Sequence, residues 1–303
     1  MQKIENITNS VHISWIPSFN CNFSCRYCAP EFYQKTAPIA SLKQLKIIYY
    51  KLQPFIDNKK NIVFWFTGGE PSKVPDLLDF CKFLKSENKS FKIGITTNGS
   101  SSFNYYYELL KYVHEIAFSV HFDFIKYKAY FKKLIKLVPK YRNRVHFCIM
   151  CDPKYMDQVI HSVNLLEKFN IKFNLLGIAG TPLDDIERNF DIPSQYEDFI
   201  LKYSSNDSFK TLLVDGVPYS DHEFKNLLNN DYTKFKGWVC HVPSEHLFIR
   251  YDTLYGGECK RVRYGNLLTD KILPKDYIIC DGRRCNCTAD LRATKYNEIS
   301  QIN

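Results

Sequence analysis

Long apolar runs are missing from this chain. Among its 303 residues no stretch of eighteen or more apolar side chains occurs, so no membrane-spanning helix is expected. The opening residues, Met1-Gln2-Lys3-Ile4-Glu5-Asn6, lack the apolar core of a secretory signal, and the expected compartment is a reducing cytoplasm. A dense basic block is missing too. The formal charge is +9, yet the lysines are scattered, as at Lys126, Lys128, Lys132 and Lys133. Nucleic-acid binding requires a localised stripe with stacking aromatics, so nucleic acid is not expected as a partner. Solvated helix faces account for the spread, and an anionic substrate, phosphorylated or nucleotide-linked, stays compatible with it. What the chain has in quantity is cysteine. Eleven cysteines without a secretion signal point to metal ligation rather than disulfides.

Three of them, Cys21, Cys25 and Cys28, form a C-x3-C-x2-C triplet just after the apolar stretch Val11 to Ile16. Three thiolates on one loop can hold three corners of a cubic iron–sulfur cluster and leave the fourth iron open to a ligand. A zinc knuckle is the bland alternative, but zinc wants four ligands and no His or Cys follows at finger spacing. Further on, Ile62 to Thr67 reads as a buried strand running into Gly68-Gly69-Glu70-Pro71. Glycines directly after a strand allow close backbone approach, and the proline suits the start of a new turn or helix. By itself Gly-Gly is also an ordinary strand–helix turn.

The first 180 residues alternate strand and helix patterns. Strands are expected at Val11–Pro17, Ile62–Thr67, Phe91–Thr97, Glu115–His121, Val145–Met150 and Ile171–Ile178. Apolar residues at helical spacing fall between them, over Ser41 to Ile56 with Ser41 as N-cap, from Pro75 through Leu84, and over Tyr155 to Phe169. Six such units imply an α/β fold with a parallel sheet, doubly wound or curled into a partial barrel. Cys81 lies on an apolar helix stripe and Cys148 inside a strand of buried character, so both read as inert; Cys151 falls at a strand's mouth end. After Gly180 the pattern loosens, then a helix is expected over Pro193 to Tyr203, capped by Asp191. From Trp238 the chain changes character. Cys240, a strand over His246 to Tyr251, a turn at Asp252 to Gly257 and Cys259 read as a β-hairpin whose ends each present a thiolate. Cys280, Cys285 and Cys287 follow.

The triplet with its aromatic Tyr27, and Gly68-Gly69-Glu70-Pro71 about forty residues on, resemble the signature of the radical S-adenosylmethionine (radical SAM) enzymes. The resemblance covers essentially the whole chain, the segment 181 to 237 least. It implies a partial (β/α)6 TIM-like barrel over residues 11–180, with ligands gathered at the C-terminal strand ends. It implies a 4Fe–4S cluster on Cys21, Cys25 and Cys28, and SAM as cofactor, bound by its amino and carboxylate groups to the open iron. Gly68, Gly69, Glu70 and Pro71 are then expected to meet the SAM amino group, Glu70 with its carboxylate. Asn98 and Ser119 are expected near SAM, with Ile178 and Ala179 against the adenine. Asn98-Gly99 is also an ordinary turn signal, and His121 reads equally as a structural histidine or a substrate contact.

The tail resembles the twitch and SPASM auxiliary-cluster domains of the same family, although it carries fewer cysteines than a full SPASM pattern. A connecting segment, 181–235, thus precedes a shortened twitch-like domain, 236–290, with one auxiliary iron–sulfur cluster, of 4Fe–4S type, on four of Cys240, Cys259, Cys280, Cys285 and Cys287. Tetrahedral zinc on the same thiols is the alternative. The thiol left over, among Cys280, Cys285 and Cys287, is a candidate hydrogen donor; no other catalytic residue is assigned.

The implied chemistry is one-electron reduction, by a donor such as flavodoxin or ferredoxin, and cleavage of SAM to a 5′-deoxyadenosyl radical that takes hydrogen from a substrate carbon. Epimerisation, oxidation and bond formation are open outcomes. Only about ten residues precede the first strand, leaving no room for a leader-binding domain. A small polar substrate, such as a sugar, aminocyclitol or nucleotide sugar, is therefore set ahead of a ribosomally made peptide. A non-catalytic metal-binding protein would leave Gly68-Gly69-Glu70-Pro71 unexplained.

Overall fold

Alternation of apolar residues builds the main sheet. The computed structural model describes residues 3–8, 10–56, 61–178, 193–203, 210–220, 234–282, 285 and 288–297. Six strands, β2 (Ser10–Ile16), β3 (Asn61–Phe66), β4 (Lys92–Thr97), β5 (Glu115–Val120), β6 (Val145–Cys151) and β7 (Phe173–Gly177), pair in parallel in that order. On one face Ile13, Phe64, Ile95, Phe118, Phe147 and Leu175 are buried in a single core with residues of the intervening helices. Those helices include Leu42–Ile56, Leu77–Glu87 and Met156–Lys168, close to the expected spans. Ser41 caps the first reciprocally: its backbone N–H donates to Gln44 Oε1 at 2.9 Å, and Gln44 N–H donates back to Ser41 Oγ at 3.4 Å. Phe103–Leu109 and Tyr127–Leu134 are further helices.

The expected hairpin is present as β11 (His246–Arg250) and β12 (Thr253–Gly256), joined antiparallel. Rather than standing apart, β11 pairs in parallel with β2, from His246 opposite His12 to Arg250 opposite Ile16. The hairpin thereby adds a seventh parallel strand to the barrel sheet, with β12 and β13 (Val262–Asn266) continuing it to nine strands. The fold is an α/β partial TIM-like barrel, open between β7 and β13 among the described residues.

A second, six-stranded sheet has the order Ile278–Ile279, Val239–Cys240, Lys295–Tyr296, Lys3–Asn6, Lys210–Val214, Val217–Ser220. It gathers β1 (Lys3–Asn6), β8 (Lys210–Val214), β9 (Val217–Ser220), β10 (Val239–Cys240), β14 (Ile278–Ile279) and β15 (Lys295–Tyr296). Ile4, Leu212, Val214, Phe235 and Leu291 form its small core, against which Trp238, Cys280 and Cys285 pack. Its strands come from both ends of the chain and from the stretch read as a connector. The helix after Pro193 is a short 3-10 turn, Ser194–Tyr196, followed by Glu197–Tyr203. Ala179, Gly180, Asp191 and Cys287 lie outside the described residues. No helix among the described residues is long and apolar enough to cross a membrane.

Candidate active site at the strand ends

Strand β2 ends at Ile16, and the chain runs through Ser18–Asn20 into the cysteine loop. Strand β3 ends beside it, and its glycine turn is hydrogen-bonded onto that segment: Gly69 N–H donates to Ser18 O at 3.2 Å and Glu70 N–H to Asn20 O at 2.7 Å. A Cβ on Gly69 would lie 2.3 Å from Asn20 O, so the close approach that the glycine permits is to the cysteine loop's own backbone. Gly68 takes φ 109°, a conformation that suits glycine alone. Pro71 opens the 3-10 turn Pro71–Lys73 with Glu70 at its cap, as the sequence suggested.

Glu70 is 1% exposed and both its carboxylate oxygens are engaged. Oε1 accepts from Ser72 N–H at 2.9 Å and Thr97 Oγ1 at 2.6 Å; Oε2 accepts from Asn98 N–H at 2.7 Å. Burial drives its pKa up, against the pull of these donors. Glu70 therefore braces the glycine turn against the end of β4, a task for which the sequence held no signal. Asn98 continues the chain of contacts. Its side-chain amide donates to Asn22 Oδ1 at 3.0 Å and lies 3.8 Å from Cys21 Sγ, while its Oδ1 accepts from Ser100 N–H at 3.0 Å.

Cys21 and Cys25 are buried and Cys28 half-buried, in a cup with Phe23, Tyr27, Tyr33 and Ile125. Burial pushes the Cys25 thiol up to about 12; a hydrogen bond from Tyr27 opposes this, and the nearby Cys28 and Cys21 add to it. Burial also raises Cys21. Three thiols held together on one dry loop suit a ligand that deprotonates them, and the donor set fits an iron–sulfur cluster. Two anchors missed in the sequence hold this loop. Arg26 forks onto the buried Asp152 just past β6, with its Nη2 at 2.6 Å from Oδ1. Tyr27 stacks on His121, whose Nδ1 is 2.7 Å from the phenol oxygen. Burial lowers His121 to about 4, so it is neutral at pH 7 and serves the loop as a structural contact. Ser119 is half-buried on the face of β5 away from the helices, and Ile178 is 3% exposed.

The described tail thiols lie in one region. Cys240 lies in β10, and Cys280 follows β14, the strand paired with β10. Cys280 N–H donates to Trp238 O at 2.8 Å. Cys285 is raised to about 12 by burial, with the nearby Cys240 and Cys280 adding to it; Cys259 is raised likewise by burial, with Cys285 among its neighbours. Asp290 fixes the Cys259 end of the hairpin: its oxygens accept from Cys259 N–H at 2.6 Å and Glu258 N–H at 3.0 Å. His246 Nδ1 lies 2.7 Å from the same carboxylate, and its Nε2 lies 3.0 Å from Ser14 Oγ, so a buried polar chain ties this corner to barrel strand β2. Among the described residues no three His, Cys, Asp or Glu side chains converge closely enough for a single metal ion.

Strand ends that carry a cysteine triplet and a glycine turn, at the mouth of a parallel partial barrel, define a class of cluster-bearing α/β enzyme. The Radical SAM superfamily model matches residues 15–191, and the chain belongs to that superfamily. It is a radical SAM enzyme, whose family cofactors are SAM and a 4Fe–4S cluster. Curated relatives are more remote. A GTP 3′,8-cyclase of Haemophilus influenzae is 33% identical over 79 residues, 26% of this chain and 23% of that protein. Its counterpart in Shewanella denitrificans is 32% identical over 81 residues. The matched stretch thus spans under a quarter of those relatives' length. Among solved structures, anSMEcpe with bound AdoMet shares the fold, with a TM-score of 0.56 and 14% identity over 86% of this chain and 79% of that one. Streptococcus suis SuiB bound to precursor peptide SuiA gives a TM-score of 0.50 and 18% identity, over 82% and 59% of the two chains.

Proposed function

We propose that this enzyme cleaves SAM reductively and abstracts hydrogen from a small polar substrate, leading to epimerisation or oxidation. Bound at the strand ends, SAM and its cluster supply a 5′-deoxyadenosyl radical. Cys21, Cys25 and Cys28 hold the cluster in this reading. Gly68 and Gly69 present backbone to the SAM amino group, with Glu70 and Pro71 setting the turn. Tyr27, Asn98, Ser119 and Ile178 line the surrounding wall. The observation that carries the proposal is the hydrogen-bonded union of cysteine loop, glycine turn and Asn98 at one end of the concave sheet face. That face presents His12, Trp65, Thr96, Glu115, Ser119 and Asn174 beside Val63, Ala117 and Met150, polar groups on a partly apolar wall that can orient a polar substrate.

The second part of the proposal is an auxiliary iron–sulfur cluster in the region 236–290, on thiols drawn from Cys240, Cys259, Cys280, Cys285 and Cys287. The proximity of Cys285 to Cys240, Cys280 and Cys259 supports it. The electron donor is taken to be a flavodoxin or ferredoxin.

Anaerobic reconstitution followed by reduction in the presence of SAM tests this reading. Wild-type protein should release 5′-deoxyadenosine, and Cys21→Ala, Cys25→Ala or Cys28→Ala should release none. Retained cleavage in any of the three would refute the ligand assignment. Iron remaining in the triplet variants measures the auxiliary cluster; zinc there instead would defeat that part alone.

A further inference from the structure

Strand β6, Val-His-Phe-Cys-Ile-Met-Cys, divides its side chains between two environments. Val145, Phe147, Ile149 and Cys151 are buried in the core shared with the helices. His146, Cys148 and Met150 turn the other way and are half-buried on the concave face. The expectation that Cys148 lies in a buried environment is thus corrected, and Cys151, at the mouth end, is the one sealed into the core. Burial raises the Cys151 thiol to about 12 and raises Cys81 as well.

Cys148 is not alone on that face. Its sulfur lies 3.3 Å from His146 Nε2, and His146 Nδ1 lies 2.6 Å from Glu115 Oε1 on the neighbouring strand. Along the ladder Cys148 sits directly between Ser119 of β5 and Asn174 of β7. Adjacent strands are about 4.8 Å apart, so the thiol is one strand spacing from a residue assigned to the SAM wall. Burial opposes protonation of His146, but the adjacent Cys148 and the close Glu115 carboxylate prevail and lift its pKa to about 9. The imidazole edge thus sits within proton-transfer reach of the sulfur.

We propose that Cys148 is a catalytic thiol of this enzyme that returns a hydrogen atom to the substrate radical, with His146 and Glu115 as positioning residues that restore its proton. The S–H bond breaks as the new C–H bond forms, and the unpaired electron is left on sulfur. A one-electron reductant of the flavodoxin or ferredoxin class converts the thiyl to a thiolate. His146 then protonates the thiolate and recovers its own proton from solvent. This places the hydrogen donor in the barrel wall rather than among the tail cysteines, and it favours epimerisation over oxidation. The assignment rests on the proposed SAM chemistry.

Two measurements on the reconstituted holoenzyme test it. Alkylation by iodoacetamide, mapped by mass spectrometry, should modify Cys148 while Cys81 and Cys151 stay unmodified, and SAM should slow the reaction at Cys148. Failure of Cys148 to react, or the same rate with and without SAM, overturns its placement beside the cofactor. The second measurement is substrate-free turnover in deuterated water with dithionite as reductant. With no substrate present, the cofactor radical should take a deuterium from the exchanged thiol, so that the 5′-deoxyadenosine carries the label. Cys148→Ala and Cys148→Ser should lose the label per molecule of 5′-deoxyadenosine formed, because a methyl group does not exchange and an O–H bond is too strong to yield a hydrogen atom. Cys151→Ala should retain it. Unlabelled product from wild-type protein, or undiminished label in both Cys148 variants, refutes the proposal. Absence of 5′-deoxyadenosine from wild-type protein would refute the proposed function instead, so the two failures are distinguishable.

Discussion

Glu70→Gln separates two roles that a carboxylate in a glycine turn can have. If Glu70 only met the SAM ammonium, the substitution would weaken SAM binding and leave the cofactor-free protein as stable as before. Instead its oxygens already accept from Ser72 N–H, Thr97 Oγ1 and Asn98 N–H, all within 2.9 Å. A glutamine offers one acceptor oxygen and one NH2 group. With the oxygen kept toward Ser72 and Thr97, the NH2 faces the Asn98 N–H, donor against donor. One charge-assisted bond is lost and one buried N–H is orphaned, a cost of about 2–3 kcal/mol. Glu70→Ala orphans both backbone donors and should cost about 4 kcal/mol. The assay is anaerobic urea unfolding of the cofactor-free protein, beside SAM calorimetry on the reconstituted one. Both should fall together, because a loosened Asn98 also releases Asn22 and the contact to Cys21. Unchanged cofactor-free stability with lost SAM affinity would refute the brace.

Three other outcomes are expected. Gly69→Ala drives a Cβ to within 2.3 Å of Asn20 O and 2.7 Å of Phe19 C, atoms of backbone that cannot rotate away. It should lose the two hydrogen bonds of the turn, about 2 kcal/mol, and lower the iron retained per protein after anaerobic reconstitution; unchanged iron content would contradict this. His121 and His12 both have pKa values near 4, lowered first by burial and, for His12, also by His246 and Arg292. The unfolded chain, titrating near 6.5, binds more protons between those limits, so stability should fall as pH drops from about 6.5 to about 4, by up to about 3 kcal/mol for each histidine. Urea midpoints that do not change between pH 7 and pH 5 would contradict this. Asp290→Asn sets an NH2 against the N–H groups of Cys259 or Glu258 and should destabilise by about 2 kcal/mol. A double-mutant cycle with His246→Ala should show coupling of about 1 kcal/mol, and strict additivity would mean that the pair is not a unit.

The barrel was legible because its strands carry their own signal. Ile62, Phe64 and Phe66 alternate with less buried residues, and the helix after Ser41 carries its cap, so each element is specified within its own short stretch. The second sheet was not legible, for a converse reason. Its strands Val239–Cys240, Ile278–Ile279 and Lys295–Tyr296 are two residues long, and β1 finds its partners in β8 and β15 at the far side of the chain. Pairing across such distances leaves no local periodicity to read. The stretch Val145–Cys151 misled in a third way. Parallel strands covered on both faces read as continuous apolar runs, and Cys148 passes as one more apolar residue. His146, two residues earlier on the same face, was the available signal that this face is not core.

At the site, the sequence marked the motif residues and hid how they are joined. Cys21, Gly69 and Asn98 belong to loops after β2, β3 and β4, three strands that are neighbours in the sheet. Adjacency of the strands brings the loops together, and the bonds between them run through groups with no motif value of their own: Ser18 O, Asn20 O, Asn22 Oδ1 and Asn98 N–H. Two of these are backbone carbonyls that any residue would supply, so their spacing and not their identity is what the fold preserves. The glycine turn therefore acts on the cysteine loop through the loop's main chain. A change at Gly69 or Glu70 should be felt at Cys21 before any ligand is bound, which is why the decisive measurements above are made on the cofactor-free protein as well as on the loaded one.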